Sequence, residues 1–172
     1  DLAVEVGDAT VPALQKRMIK MARKMHKLTI TATQMMESMI ESPVPTRAEV
    51  SDCANAVLDG TDAVMLSAES AAGKYPLEAV QAMARTCFEA ERSGECKVEA
   101  EFDKVTDFSK IDEAVAMSAL YAASKLPIKA IVCISHSGAS ALWLSRYNTG
   151  VPIYVFTQEL STYRKLALFR HV

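Results

Sequence analysis

Two short apolar runs, LTITAT at residues 28–33 and AVMLS at 63–67, constrain this chain more than any other feature. In the first, Leu28 and Ile30 alternate with Thr29 and Thr31, as side chains do along a strand. The second is unbroken, as in a strand covered on both faces of a parallel sheet. Each ends in a hydroxyl, Thr33 or Ser67, where a turn of Gly or Pro would be the ordinary ending. Helical periodicity surrounds both. From Thr10 to Lys27, Pro12 suits a first turn, and Leu14, Met18, Met21 and Met25 share one face. That face is expected to point inward, with Lys16, Arg17, Lys20, Arg23, Lys24 and Lys27 forming a solvated outer face in preference to a basic stripe for a polyanion. Between the strands, PTRAEVSDCANAVLDG carries a capping box of Thr46 and Glu49. Its expected apolar stripe is Val50, Cys53 or Ala54, Val57 and Leu58, and Gly60 is its stop. After Gly73, Tyr75 and Pro76 comes a long helix with Leu77, Val80, Met83, Ala84 and Cys87 expected inward. Helices alternating with strands over short connections specify α/β architecture with parallel strands. In such folds, ligands sit at the carboxyl ends of the strands, where Thr33 and Ser67 fall.

Residues 89–110, EAERSGECKVEAEFDKVTDFSK, are charged and lack this periodicity, and they read as a boundary or linker. A second α/β unit follows. It consists of an amphipathic helix from Ile111 to Lys125 ended by Pro127, a strand KAIVCIS, a turn into the helix of SHSGASALWLSRYN, a strand PIYVFTQ and a helix LSTYRKLALFR. The turn Ser135-His136-Ser137-Gly138-Ala139-Ser140 joins strand to helix. Small residues there let backbone N–H groups approach an anion, although any strand-to-helix turn can use Ser and Gly. His136 reads as a polar surface residue.

The 172 residues are 50% hydrophobic and 23% charged, with a formal net charge of −2. That suffices for one good core or two small ones. The near-neutral balance does not point to nucleic acid or an anionic membrane. No apolar run approaches the roughly 20 residues of a membrane helix, and no signal-peptide pattern opens the chain. Cys53, Cys87, Cys96 and Cys133 form no CxxC, and His26, His136 and His171 lie far apart, so free thiols are expected and no zinc site. The chain opens on Asp1 rather than Met and closes in an uncapped helical pattern, which is expected of a piece of a longer protein.

Three stretches together, ATQMMESM (32–39), PTRAEVSDCANAVLDGTDAVMLSAES (45–70) and AAGKYPLEAV (71–80), closely resemble pyruvate kinase, and DLAVEVG (1–7) looks like the segment after that family's sixth barrel strand. The match is dense over about the first 92 residues and looser from 111 on. The resemblance implies the end of a (β/α)8 TIM barrel over residues 1–92, from the end of strand six to helix eight. A linker over 93–110 and a partial α/β C-terminal regulatory domain over 111–172 would follow. It implies transfer of the phosphoryl group of phosphoenolpyruvate to ADP, giving pyruvate and ATP, with Mg²⁺ or Mn²⁺ and commonly K⁺, in a cytoplasmic homotetramer. Asp1 matches the family's metal-binding aspartate, near which the substrate carboxylate would also be held. Thr33 matches the threonine that contacts substrate near the methylene carbon to be protonated. Ser67 matches a serine of the hydroxyl and water network of that proton delivery. A hydroxyl is a poor acid alone, so both are read as relays or positioners. Gln34, Glu37 and Glu69 lie in the same loops as supporting candidates. For Glu37 and Arg47, subunit contact or a structural role is equally expected.

The family's catalytic lysine, second metal carboxylate and substrate-binding arginine would precede Asp1. Without them the chain has too little charge to stabilise a transferring phosphoryl group, and it is expected to be inactive by itself. Ser135, Ser137, Gly138 and Ser140 match a turn that holds a phosphate of a sugar-phosphate or nucleotide effector in relatives. Here Ala139 stands in place of that turn's arginine. Two alternatives accompany this reading: an aldolase-type relative that handles enolates without phosphoryl transfer, and a non-catalytic remnant that binds phosphometabolites or pairs with a full-length subunit.

Overall fold

The computed structural model describes residues 2–32, 34–93, 108, 110–147 and 150–172. Asp1, Thr33 and all of the 93–110 stretch except Ser93, Phe108 and Lys110 lie outside them. The chain forms two compact units, Asp1–Ala90 and Glu91–Val172.

In the first unit a short helix α1 (Leu2–Val6) precedes α2 (Val11–Lys24), which has Pro12 in its first turn. Helix α2 ends where His26 turns left-handed at φ 54°, with the His26 N–H donating to the Arg23 carbonyl and the Lys27 N–H to that of Ala22. Strand β1 (Ile30–Thr31) follows, then α3 (Arg47–Asp59), strand β2 (Ala63–Val64), a single helical turn α4 (Ala68–Ala71) and α5 (Pro76–Arg92). The two strands run parallel, with Ile30 opposite Ala63 and Thr31 opposite Val64. Each is shorter than its apolar run, but single bonds extend the ladder on both sides. The Asp62 and Ala63 N–H groups donate to the Thr29 carbonyl, and the Met65 N–H donates to that of Thr31.

Helix α3 starts and stops as its sequence dictates. The Thr46 hydroxyl accepts the Glu49 N–H, the Glu49 carboxylate accepts the Thr46 N–H, and Gly60 caps the far end in a left-handed conformation at φ 97°. A side chain at Gly60 would be strained by that φ and would also meet Arg23.

The core of this unit is made of Met35, Met36, Met39, Cys53, Ala56, Ala79, Ala82 and Met83, with Val64, Leu66 and Cys87 packed against it. This corrects the expected stripes. Met18 and Met21 of α2 and Met25 just past its end stand exposed, and Ile19 is the residue the helix buries. Lys16, assigned to the outer face, is exposed and also donates to Asp59 of α3 at 2.6 Å. On α3 and α5, Cys53, Val57 and Met83 are buried as expected, but the other buried positions are alanines, while Val50, Leu58, Leu77, Val80 and Ala84 are exposed. Methionines from the segment after β1 fill the space above these alanines, which periodicity within a single helix does not reveal.

The second unit holds α6 (Ile111–Lys125), β3 (Ile131–Ile134), α7 (Ala139–Ser145), β4 (Ile153–Phe156) and α8 (Leu160–Leu166). Strands β3 and β4 are parallel over four residue pairs, from Ile131 opposite Ile153 to Ile134 opposite Phe156. Ile131, Cys133, Ile153 and Val155 face a core of Ala116, Met117, Leu120, Trp143 and Leu144. Val132, Ile134, Tyr154 and Phe156 alternate with them and are exposed, Ile134 by 85%.

Candidate active site

Parallel pairing of β1 and β2 brings the carboxyl ends of both strands to the same side of the first unit. From those ends run the two segments that carry the candidate residues. After β1 the chain passes through Ala32 to Gln34, which is exposed and left-handed at φ 54°. That conformation costs a non-glycine residue on the order of 1 kcal/mol, and such positions cluster at functional sites. Thr33, immediately before it, lies outside the described residues. After β2, Ser67 is exposed and stands just before α4 at φ −126°, ψ −102°, with no side-chain hydrogen bond to the helix end.

Glu69 ties the two segments together. The residue is only 3% exposed. Oε1 accepts the Met36 N–H at 3.1 Å, and Oε2 accepts the Ser67 N–H at 2.7 Å. One carboxylate thus satisfies a backbone donor from the segment after each strand. Burial raises the Glu69 carboxyl, but the backbone N–H groups of Glu69, Ser67 and Met36 outweigh it and hold the group below its ordinary value, against a small upward push from Glu49. The seam closes further at Gly73, whose N–H donates to the Ala68 carbonyl, and at Lys74, whose N–H donates to that of Ile40. A Cβ at Gly73 would lie 2.5 Å from the Glu69 carbonyl oxygen, so glycine is required for this approach.

Glu49 does similar work one layer away. Besides Thr46, it accepts the Ser38 N–H and the Ser38 hydroxyl, both at 2.6 Å. Burial raises its carboxyl, but the Ser38 and Thr46 hydrogen bonds bring it below the ordinary range. Behind the strands, the Thr61 hydroxyl accepts from Thr31 at 3.0 Å and lies 3.2 Å from the Thr29 carbonyl. The sequence showed Glu49 as a helix cap; its second use on Ser38, and the part played by Thr61, had no local signal. Glu37 and Arg47 are exposed.

The metal expectation rests on Asp1, which lies outside the described residues. Among the described residues, no three His, Cys, Asp or Glu side chains are grouped as ligands. The Glu69 oxygens are committed to backbone donors, so the described residues do not by themselves fit a divalent ion. What this arrangement can do is present the Ser67 hydroxyl to solvent on a backbone held from below.

Ser135, Ser137, Gly138 and Ser140 all fall in the β3–α7 turn. Ser135 is buried and its Oγ accepts the Gly138 N–H at 3.0 Å. The Ser137 Oγ accepts the Ala139 N–H at 3.4 Å. Gly138 is left-handed at φ 82° beneath Thr162, whose hydroxyl donates to the His136 carbonyl at 2.8 Å. His136 faces Glu159 at 3.6 Å. Two of the N–H groups that could meet an anion are therefore engaged within the turn.

A parallel α/β unit with tied strand ends, followed by a second α/β unit, defines a class of modular α/β proteins in which strand ends carry the site. Within that class, residues 1–80 match the family model described as pyruvate kinase, barrel domain, and residues 113–172 match pyruvate kinase, alpha/beta domain. A pyruvate kinase of Buchnera aphidicola subsp. Schizaphis graminum is 52% identical over 173 residues, covering 100% of this chain and 36% of the relative. Pyruvate kinase II of Salmonella typhimurium is 51% identical over 173 residues, and a pyruvate kinase of Haemophilus influenzae 51% over 174, with the same coverage of each chain. The chain belongs to the pyruvate kinase family and spans about a third of the length of these relatives. No helix among the described residues is long and apolar enough to cross a membrane.

Proposed function

We propose that this chain is part of a glycolytic phosphotransferase that moves the phosphoryl group of phosphoenolpyruvate to ADP, giving pyruvate and ATP. The observation that carries this reading is the Glu69 bridge, one buried carboxylate holding the segments after two adjacent parallel strands. Protonation of an enolate at carbon needs hydroxyls fixed against the substrate, and a braced backbone supplies that without reorganisation during the reaction. In this reading Ser67 and Thr33 position the substrate and relay protons to its methylene carbon. Asp1 would help to hold Mg²⁺ or Mn²⁺ and, beside it, the substrate carboxylate. The ion supplies neutralisation of phosphoryl oxygen charge, and K⁺ accompanies it.

Residues 1–92 are the barrel part, 93–110 the link and 111–172 part of a regulatory domain. That domain would offer Ser135, Ser137, Gly138 and Ser140 to a sugar-phosphate or nucleotide effector. The whole protein is a cytoplasmic homotetramer with no nucleic-acid or membrane partner.

The test couples pyruvate formation to lactate dehydrogenase. The chain alone, supplied with Mg²⁺, K⁺, phosphoenolpyruvate and ADP, should give no pyruvate above a matched blank. Put in place of the matching 36% of the Salmonella typhimurium relative, it should be active. Ser67→Ala in that chimera should lower kcat about tenfold or more with little change in the KM for ADP. An unchanged kcat would remove Ser67 from the reaction, and Mg²⁺-dependent turnover by the chain alone would overturn the expected inactivity.

A further inference from the structure

Cys53 on α3 and Cys87 on α5 meet inside the first core, with their sulfurs 3.9 Å apart. Cys53 is fully buried and Cys87 partly so, and neither is in a disulfide. They are 34 positions apart in sequence and come from different helices, so only the tertiary fold pairs them. A disulfide needs the sulfurs at about 2.0 Å, so they must approach by roughly 2 Å, within reach of side-chain rotation and a small helix shift. The core cluster they belong to is otherwise made of methionine, alanine, valine and leucine, none of which carries a charged group or a hydrogen-bond donor in its side chain to oppose this movement.

We propose that Cys53 and Cys87 form an oxidation site, a dithiol that peroxide converts reversibly to a disulfide joining α3 to α5. The steps balance. The Cys87 sulfur, the more accessible of the two, attacks the peroxide O–O bond; a sulfur–oxygen bond forms, the O–O bond breaks, and one water leaves with the thiol proton. The Cys53 sulfur then attacks the sulfenic sulfur; the S–S bond forms, the S–O bond breaks, and a second water leaves with the Cys53 proton. Two electrons pass from the sulfurs to one peroxide. The contact with Cys87, and then burial, push the Cys53 thiol up; the greater exposure of Cys87 is what gives it the first attack. The cross-link lies in the same cluster as Met36, whose N–H Glu69 holds, so oxidation would stiffen the layer under the strand ends. It stands independently of the proposed reaction.

The test treats the native chain with hydrogen peroxide, blocks remaining thiols with N-ethylmaleimide in denaturant, and maps tryptic peptides without reductant. The expected product is peptide 48–74 joined to peptide 86–92, lighter than the two free peptides by about 2 Da and separated again by dithiothreitol. In Cys87→Ala, Cys53 should remain open to N-ethylmaleimide after the same treatment. Recovery of both peptides alkylated on Cys53 and Cys87 overturns the proposal, as does a cross-link from either to Cys96 or Cys133. The map of the unsubstituted chain decides the question even if a variant fails to fold.

Discussion

At the scale of single residues, Glu69 carries the most. Its two oxygens meet two backbone donors, and both must be acceptors. Glu69→Ala leaves two N–H groups unpaired and should cost about 3 kcal/mol in chemical denaturation. Glu69→Gln keeps the size but turns an NH₂ toward one of those donors, so it should cost nearly as much. Near-wild-type stability for the Gln variant would show that the bridge is not needed. The carboxyls of Glu69 and Glu49 are both held below their ordinary value of 4.5. Each therefore contributes stability that is complete above about pH 4.5 and is lost as pH falls through the lower folded values. The unfolding midpoint should drop below pH 4.5, and the drop should be smaller in Glu69→Ala. In the sequence Glu69 is one of several acids near a strand end, because nothing local marks a carboxylate as buried.

At the scale of elements, the legible parts are the self-contained ones. The boundaries of α3 follow from Thr46, Glu49 and Gly60, whose hydrogen bonds close within one turn. Loss of the cap alone, in Thr46→Ala, should cost about 1 kcal/mol. Glu49→Ala should cost more, about 2–3 kcal/mol, because it also strips the Ser38 N–H and hydroxyl of their acceptor. Equal losses for the two variants, measured by urea unfolding, would show that the Ser38 link adds nothing. Helix α2 shows the opposite case. Its methionine stripe has perfect helical spacing, yet the helix packs through Ile19 and through Lys16 against Asp59. Periodicity names the faces of a helix; which face meets a neighbour depends on where that neighbour sits.

At the scale of the whole molecule, the second sheet presents Val132, Ile134, Tyr154 and Phe156 along one exposed face. A contiguous apolar surface of this kind drives association. The chain should therefore sediment faster with rising concentration, and Ile134→Lys with Phe156→Lys should restore monomeric behaviour without loss of helical circular dichroism. Concentration-independent sedimentation of the unsubstituted chain would contradict this. The apolar runs IVCI and IYVF announce strands, but their composition does not tell which face is covered.

Three things were determined by the sequence alone: the parallel α/β class, the limits of its best-capped helix, and membership of the pyruvate kinase family through motifs dense enough to leave few alternatives. Each rests on short-range physics, namely hydrophobic period, reciprocal capping and residue types at fixed spacing. The tertiary structure alone decided that Glu69 joins two strand ends, that α3 and α5 bury alanines together with Val57 and Met83 while Val50, Leu58, Leu77 and Val80 stay exposed, and that Cys53 meets Cys87. Those pairings link residues 33 or 34 positions apart, or faces of different helices. The free energy that selects them comes from burial and from satisfying buried donors, and both exist only once the elements have packed.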